Sequence, residues 1–115
     1  RDFAKTVMVW IGGHLAMVVL PASRRIVLHD LRELLESPEA RLATEAEFRD
    51  DFPDCELGAM PPFGNLYGMD VYAADTLSHE HDIAFNAGSH DELVRMGWKD
   101  YERLVHPRIM SMTRH

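Results

Sequence analysis

The run FAKTVMVWIGGHLAMVVLP, residues 3 to 21, constrains the fold more than any other stretch. Apolar and β-branched side chains favour an extended strand over residues 3 to 11. The glycines of GGH, residues 12 to 14, tolerate the positive φ of a tight hairpin turn. LAMVVL, residues 15 to 20, is then the returning strand, and Pro21 ends it because it has no amide proton to give a ladder. A period of two puts Phe3, Lys5, Val7 and Val9 on one face and Ala4, Thr6, Met8 and Trp10 on the other.

The rest of the chain reads as short elements added to this hairpin. Ile26 to Leu28 is a short extended piece before a helix that Asp30 caps, with Glu33 following and Leu31, Leu34 and Leu35 as its apolar stripe. Pro38 breaks that helix. Thr44 and Glu47 make a second capping box, ahead of a short helix over residues 44 to 51. Strands are expected over residues 69 to 73, 82 to 88 and 92 to 97, with a helical turn over 75 to 79. A last helix runs over residues 100 to 105 and stops at Pro107. Hairpins imply antiparallel pairs, and the added helices make this an α/β domain with a mixed sheet, with residues 1 to 115 as one domain.

Composition narrows the class. With 115 residues and 46% hydrophobic content, a chain can bury a core without a metal or disulfide staple. The one cysteine, Cys55, excludes an internal disulfide and a cysteine-cluster zinc site, and it fits a reducing, cytoplasmic setting. A net charge of −7 argues against coating nucleic acid by charge alone, although Arg24, Arg25 and Arg32 could form a local basic patch. No apolar run reaches the length of a membrane span, so no membrane partner is expected. The first residues, RDFAKT, carry no signal-peptide core and no starting Met, so residues upstream of the first strand are expected to be missing.

Two features do not fit a plain scaffold. Lys5 interrupts an apolar strand. It is either an edge lysine that reaches water along its stem, or an ammonium held at the wall of a pocket. The second feature is CELGAMPPFGNLYG, residues 55 to 68, which is too apolar and too stiff for an ordinary connector. Gly58 and Gly64 can expose backbone amides, while Pro61 and Pro62 fix φ and remove two donors. The remaining N–H groups suit a carbonyl or oxyanion ligand. A structural reading competes, in which Met60, Phe63 and Leu66 plug the core. No serine sits in a nucleophile elbow, and no base is placed beside Cys55. The His79-Glu80-His81 triplet falls in a charged turn, so no metal or other cofactor is expected; His90, just after FNAGS, is the better pocket candidate.

The order FAKTV, DFPDCELGAMPPFG, IAFNAG resembles the YbaK/ProX family of aminoacyl-tRNA deacylase domains, which occur alone or inserted in prolyl-tRNA synthetases. The resemblance runs from Phe3 to about Val105 and rests on the G-x-x-x-P loop, Gly58 to Pro62, together with the strand lysine Lys5. It implies a mixed, largely antiparallel barrel-like sheet flanked by helices, and a bacterial hydrolase that removes a wrong amino acid from tRNA. It also implies a helix and strand ahead of Lys5 that this chain lacks. On this resemblance Lys5 contacts the terminal adenosine, its phosphate or the aminoacyl group, beside Thr6. Amides of Gly58, Ala59, Met60 and the loop through Pro61 and Pro62 polarise the aminoacyl carbonyl. Phe63, Asn86, Gly88 and His90 line the rest of the pocket. A water is the nucleophile, which accounts for the missing triad.

The expected partner is the 3′ end of an aminoacyl-tRNA, of the prolyl system, with a synthetase as a possible second partner. The alternative is a non-catalytic module of the same fold that binds tRNA ends, a nucleotide or a synthetase.

Overall fold

The computed structural model describes residues 3–114. Strands β1 (Ala4–Ile11) and β2 (His14–Pro21) pair antiparallel with Ile11 opposite His14. Gly12 and Gly13 form the intervening turn at φ +57° and +84°, the left-handed conformation that two-residue hairpin turns need. Strand β3 (Arg25–Ile26) leads into helix α1 (Leu28–Leu34), and strand β4 (Arg41–Leu42) into helix α2 (Glu45–Phe48). Strands β5 (Val71–Ala74), β6 (Asp82–Asn86) and β7 (Leu93–Gly97) precede helix α3 (Trp98–Val105) and strands β8 (Arg108–Met110) and β9 (Thr113–Arg114).

The main sheet has the order β4-β1-β2-β5-β8; β2 and β5 are parallel, as are β5 and β8, and the other ladders are antiparallel. Two further ladders, β3-β9 and β6-β7, stand apart from it. The mixed α/β class therefore holds, but the barrel-like closure does not appear among the described residues. The main sheet is open, with β4 and β8 as its edge strands, and β6 forms its ladder with β7 instead.

Alternation along β1 and β2 sorts two cores. Ala4, Met8, Met17 and Val19 face a first core completed by Val71, Ala73, Met60, Phe85, Trp98 and Tyr101. Val9, Ile11, Ala16, Val18 and Leu20 face a second, closed by Leu31, Ala40, Tyr72, Met110 and Met112. A strand covered on both faces reads as an unbroken apolar run, which is what LAMVVL is. Each fully buried Val or Leu contributes roughly 1.5–3 kcal/mol.

Several sequence expectations shift. The cap of α1 is Val27, not Asp30, which lies in the first turn. The ladder of β3 and β9 decides this, since Val27 N–H donates to the Met112 carbonyl at 2.7 Å and its own carbonyl accepts from Leu31 at 3.1 Å. Of the expected stripe only Leu31 is fully buried, and Leu34 is 48% exposed. Helix α3 starts at Trp98, ahead of the expected Asp100. Strands β4, β8 and β9 are two or three residues long, too short to carry a period. The Thr44–Glu47 start is as read: the Glu47 carboxylate accepts from the Thr44 amide at 2.8 Å and takes Arg41 through both oxygens at 2.8 and 2.7 Å. Those contacts, Arg41 first, hold its carboxyl down at about 2.

The loop of residues 55 to 68 closes the first core. Met60 and Phe63 pack into it, whereas Leu66 is 76% exposed and is no plug. Gly64 opens a single turn of 3-10 helix (Gly64–Tyr67) that lies directly on the sheet. A Cβ there would meet Val71 Cγ2 at 3.1 Å and Met17 Cβ at 3.2 Å. Glycine is needed at this point for space. A Gly64→Ala protein is expected to lose about 1–3 kcal/mol of stability through overpacking, read from urea denaturation.

Candidate active site

The loop is built onto a second segment at the end of β6. Glu56 N–H donates to the Gly88 carbonyl at 2.8 Å, and Gly88 N–H donates to the Ala59 carbonyl at 2.9 Å. His90 N–H donates to the Glu56 carboxylate at 2.5 Å. The His90 Nε2 lies 3.0 Å from the Leu57 carbonyl, and since a carbonyl only accepts, that nitrogen carries the proton. Gly58 and Gly88 sit at φ +85° and +97°, where a side chain is strained. A Cβ on Gly58 would lie 3.6 Å from His90 Cε1, so the imidazole covers this glycine.

Accounting for the loop's carbonyls locates its free donors. Leu57 O is taken by His90 and Ala59 O by Gly88. Met60 O accepts from Thr6 Oγ1 at 3.0 Å, Pro61 O from Phe63 N–H at 2.8 Å, and Pro62 O from the Tyr101 hydroxyl at 2.6 Å. No peptide bond is cis, so each carbonyl and the following N–H point in opposite directions. Holding Leu57 O turns Gly58 N–H away from His90, and holding Ala59 O turns Met60 N–H away from Gly88. Among the described residues, neither of these two amides has a hydrogen-bond partner, whereas the amide between them, that of Ala59, donates to Glu56 O. The loop therefore holds fixed, unpaired N–H groups at Gly58 and Met60, as it does at Leu57, whose preceding carbonyl is held by Ala59, and groups of this kind can serve a carbonyl or oxyanion.

Lys5 lies elsewhere. It pairs with Leu20, and alternation puts it on the face of Val7 and Val9, while its neighbour Thr6 reaches Met60 on the other face. There Lys5 lines a cavity of about 220 Å³ with Val7, Leu20, Arg25, Ile26, Leu28 and Leu42. The fold thus gathers Thr6, Gly58, Ala59, Met60, Pro61, Pro62, Phe63, Gly88 and His90, and sets Lys5 across the strand from them. Asn86 ends β6 opposite Leu93, two residues before Gly88.

Cys55 is half-buried close to Gly88, and burial pushes its thiol up, with the Tyr67 hydrogen bond acting the other way. It is poorly suited to be a thiolate nucleophile. Among the described residues, no group of three His, Cys, Asp or Glu side chains comes together as a metal site, and no helix is long and apolar enough to cross a membrane. Two contributors were not foreseen: Glu56 and Tyr101. Tyr101 had a signal, because a tyrosine on the buried stripe of a helix needs a partner for its hydroxyl.

The fold of this chain is shared with solved structures. It matches the structure of hypothetical protein APE2540 with a TM-score of 0.86 at 18% identity, over 98% of this chain and 75% of that one. It also matches a protein proposed as a trans-editing enzyme for prolyl tRNA synthetase, with a TM-score of 0.85 at 18% identity, over 98% and 71%. At that identity the likeness defines the fold. The sequence goes further: the family model for the aminoacyl-tRNA editing domain matches residues 1–104, and the chain belongs to that family. A relative from Escherichia coli (strain K12), the multifunctional Ser/Thr-tRNA deacylase ProXp-y, is 32% identical over 99 residues, covering 85% of this chain and 59% of that protein. The chain spans about three-fifths of the length of the curated relatives it matches.

A methyl at Gly58 is in ordinary contact with His90, so the cost of Gly58→Ala comes from its positive φ. The variant is expected to lose about 1–2 kcal/mol in a denaturation curve.

Proposed function

We propose that this domain hydrolyses the ester that joins a wrong amino acid to the 3′ end of tRNA. The observation that carries this is the pair of unpaired amides, Gly58 and Met60, fixed by the contacts on their neighbouring carbonyls. The ester carbonyl sits against them. Water attacks its carbon, the oxygen gains negative charge facing both N–H groups, and the bond to the ribose oxygen breaks. The products are the free amino acid and a tRNA with its terminal hydroxyl restored. Loss of one such donor costs roughly 10²–10³ in kcat in enzymes of this kind. No protein nucleophile is required, in keeping with burial pushing the Cys55 thiol up. The substrate's own ribose hydroxyl can position the water.

Editing explains why such a site exists. A synthetase pocket rejects a side chain one methylene smaller by only about 10–200-fold, and a hydrolytic second sieve removes what it admits. Met60 is buried in the first core, and Phe63, only partly buried against it, is the bulky side chain of this loop that limits what fits. The relative's description as a Ser/Thr-tRNA deacylase favours small, hydroxylated amino acids. The prolyl system is the source of mischarged tRNA we favour, with a synthetase as delivering partner.

In this reading Lys5 anchors the nucleotide rather than the ester. Strand β4 pairs with Val9 and Trp10, and among the described residues the outer edge of β1 has no ladder partner beside Lys5 and Thr6. The terminal nucleotide crosses that edge, its phosphate on Lys5 and its ester at the loop. The position of Lys5 also favours a second reading, a module that binds the tRNA end without hydrolysing it.

The test is deacylation of Ser-, Thr-, Ala- and Cys-charged tRNAs, on tRNA(Pro) and on their cognate tRNAs, by the full-length protein. Hydrolysis of at least one is expected, with kcat/KM lowered roughly 10- to 100-fold by Lys5→Ala, the worth of a charged hydrogen bond. Tight binding of the tRNAs with no hydrolysis would establish the binding module instead.

A further inference from the structure

The proline pair creates a mechanical problem. Pro61 and Pro62 contribute no N–H, so this end of the loop can be gripped from outside only through its carbonyls. Beyond the local Phe63-to-Pro61 contact, two side-chain hydroxyls do so: Thr6 on Met60 and Tyr101 on Pro62. Thr6 comes from the hairpin and Tyr101 from α3, so the loop is tied to two separate parts of the fold. Both Tyr101 and Pro62 are fully buried.

We infer that Tyr101 is a positioning residue for the reaction: its hydroxyl, by holding the Pro62 carbonyl, sets the placement of the Met60 amide that receives the ester carbonyl. The inference rests on the proposed role of the loop. Phe63 transmits the restraint as well, with its ring 5.5 Å from Tyr101 and 5.7 Å from Phe85, edge-on to both. Tyr101 touches no substrate. Burial pushes its hydroxyl above its ordinary pKa, so it remains a donor throughout the range in which the enzyme would work. A small displacement of a catalytic donor is costly: about 1 Å can lower a rate by roughly 10²-fold. A purely structural tyrosine would leave the rate of the folded protein unchanged.

Tyr101→Phe separates these cases, because it keeps the ring contacts with Phe63 and Trp98 and deletes only the hydroxyl. The full-length variant is compared with wild type on the best aminoacyl-tRNA of the panel, well below both melting temperatures. The expected result is a kcat lower by about 10- to 100-fold with KM little changed, the signature of an interaction realised in the transition state. In parallel, amide hydrogen exchange at Phe63, whose N–H donates to Pro61, should become faster in the variant while Met17, in the central sheet, stays unchanged. Tyr72→Phe, which alters a buried tyrosine in the other core, should leave kcat unchanged. An unaltered kcat in Tyr101→Phe, or unaltered exchange at Phe63, overturns the inference. If wild type hydrolyses no tRNA, the proposed function fails, and the exchange measurement alone still decides whether Tyr101 positions the loop. Should the variant not fold, wild type is read directly by NMR: a Tyr101 hydroxyl proton that exchanges with water as fast as that of free tyrosine overturns the inference too.

Discussion

The register between β1 and β2 is the constraint on which the rest of the structure depends. Eight consecutive pairs, from Ala4 opposite Pro21 to Ile11 opposite His14, are set by the two-glycine turn. A slip of β1 by one residue against β2 would turn every side chain of β1 to the other face. It would move Met8 out of the first core and Val9 out of the second. It would also move the Thr6 hydroxyl away from the Met60 carbonyl that it supports. The turn glycines are far from the loop in the chain, yet the placement of the loop begins with them.

The loop itself follows a simple economy of hydrogen bonds. Consecutive prolines make it stiff but leave it short of donors, so its position is set by what its carbonyls accept. His90, Gly88, Thr6, Phe63 and Tyr101 each supply a donor. Because every trans peptide opposes its carbonyl and the next amide, fixing the carbonyls also aims Gly58 N–H and Met60 N–H. Preorganisation of this kind requires no reorganisation when charge develops, which is why backbone donors are effective in hydrolysis of esters. Membership in the aminoacyl-tRNA editing family gives that arrangement its chemical context.

Residues differed in how openly they declared themselves. The hairpin, the Thr44–Glu47 helix start and the strand containing Ile83 and Phe85 were legible because each carries a local signal: a glycine pair, a capping pattern, an apolar alternation. Strands β4, β8 and β9 were not, since they exist only because a neighbouring strand offers them a ladder. Asp30 illustrates the same limit, as a good capping residue lost its place to Val27 once Met112 had bound the Val27 amide. Within the candidate site, Gly58, Pro62 and His90 could be picked out as residue types with unusual backbone or titration properties. Glu56 looked like any surface acid, and its grip on the His90 amide depends on two segments some thirty residues apart coming together.

What the sequence determined by itself was therefore the strand alternation, which already separates Lys5 from Thr6, and the stiffness and donor poverty of the loop. These follow from covalent geometry and from the period of the extended chain. Only the tertiary structure decided which face met the loop, so that Thr6 rather than Lys5 supports it, and that the Gly58 and Met60 amides were among those left free. Those outcomes depend on hydrogen bonds between distant segments, where the partner of a carbonyl is chosen by packing and not by the residue that carries it.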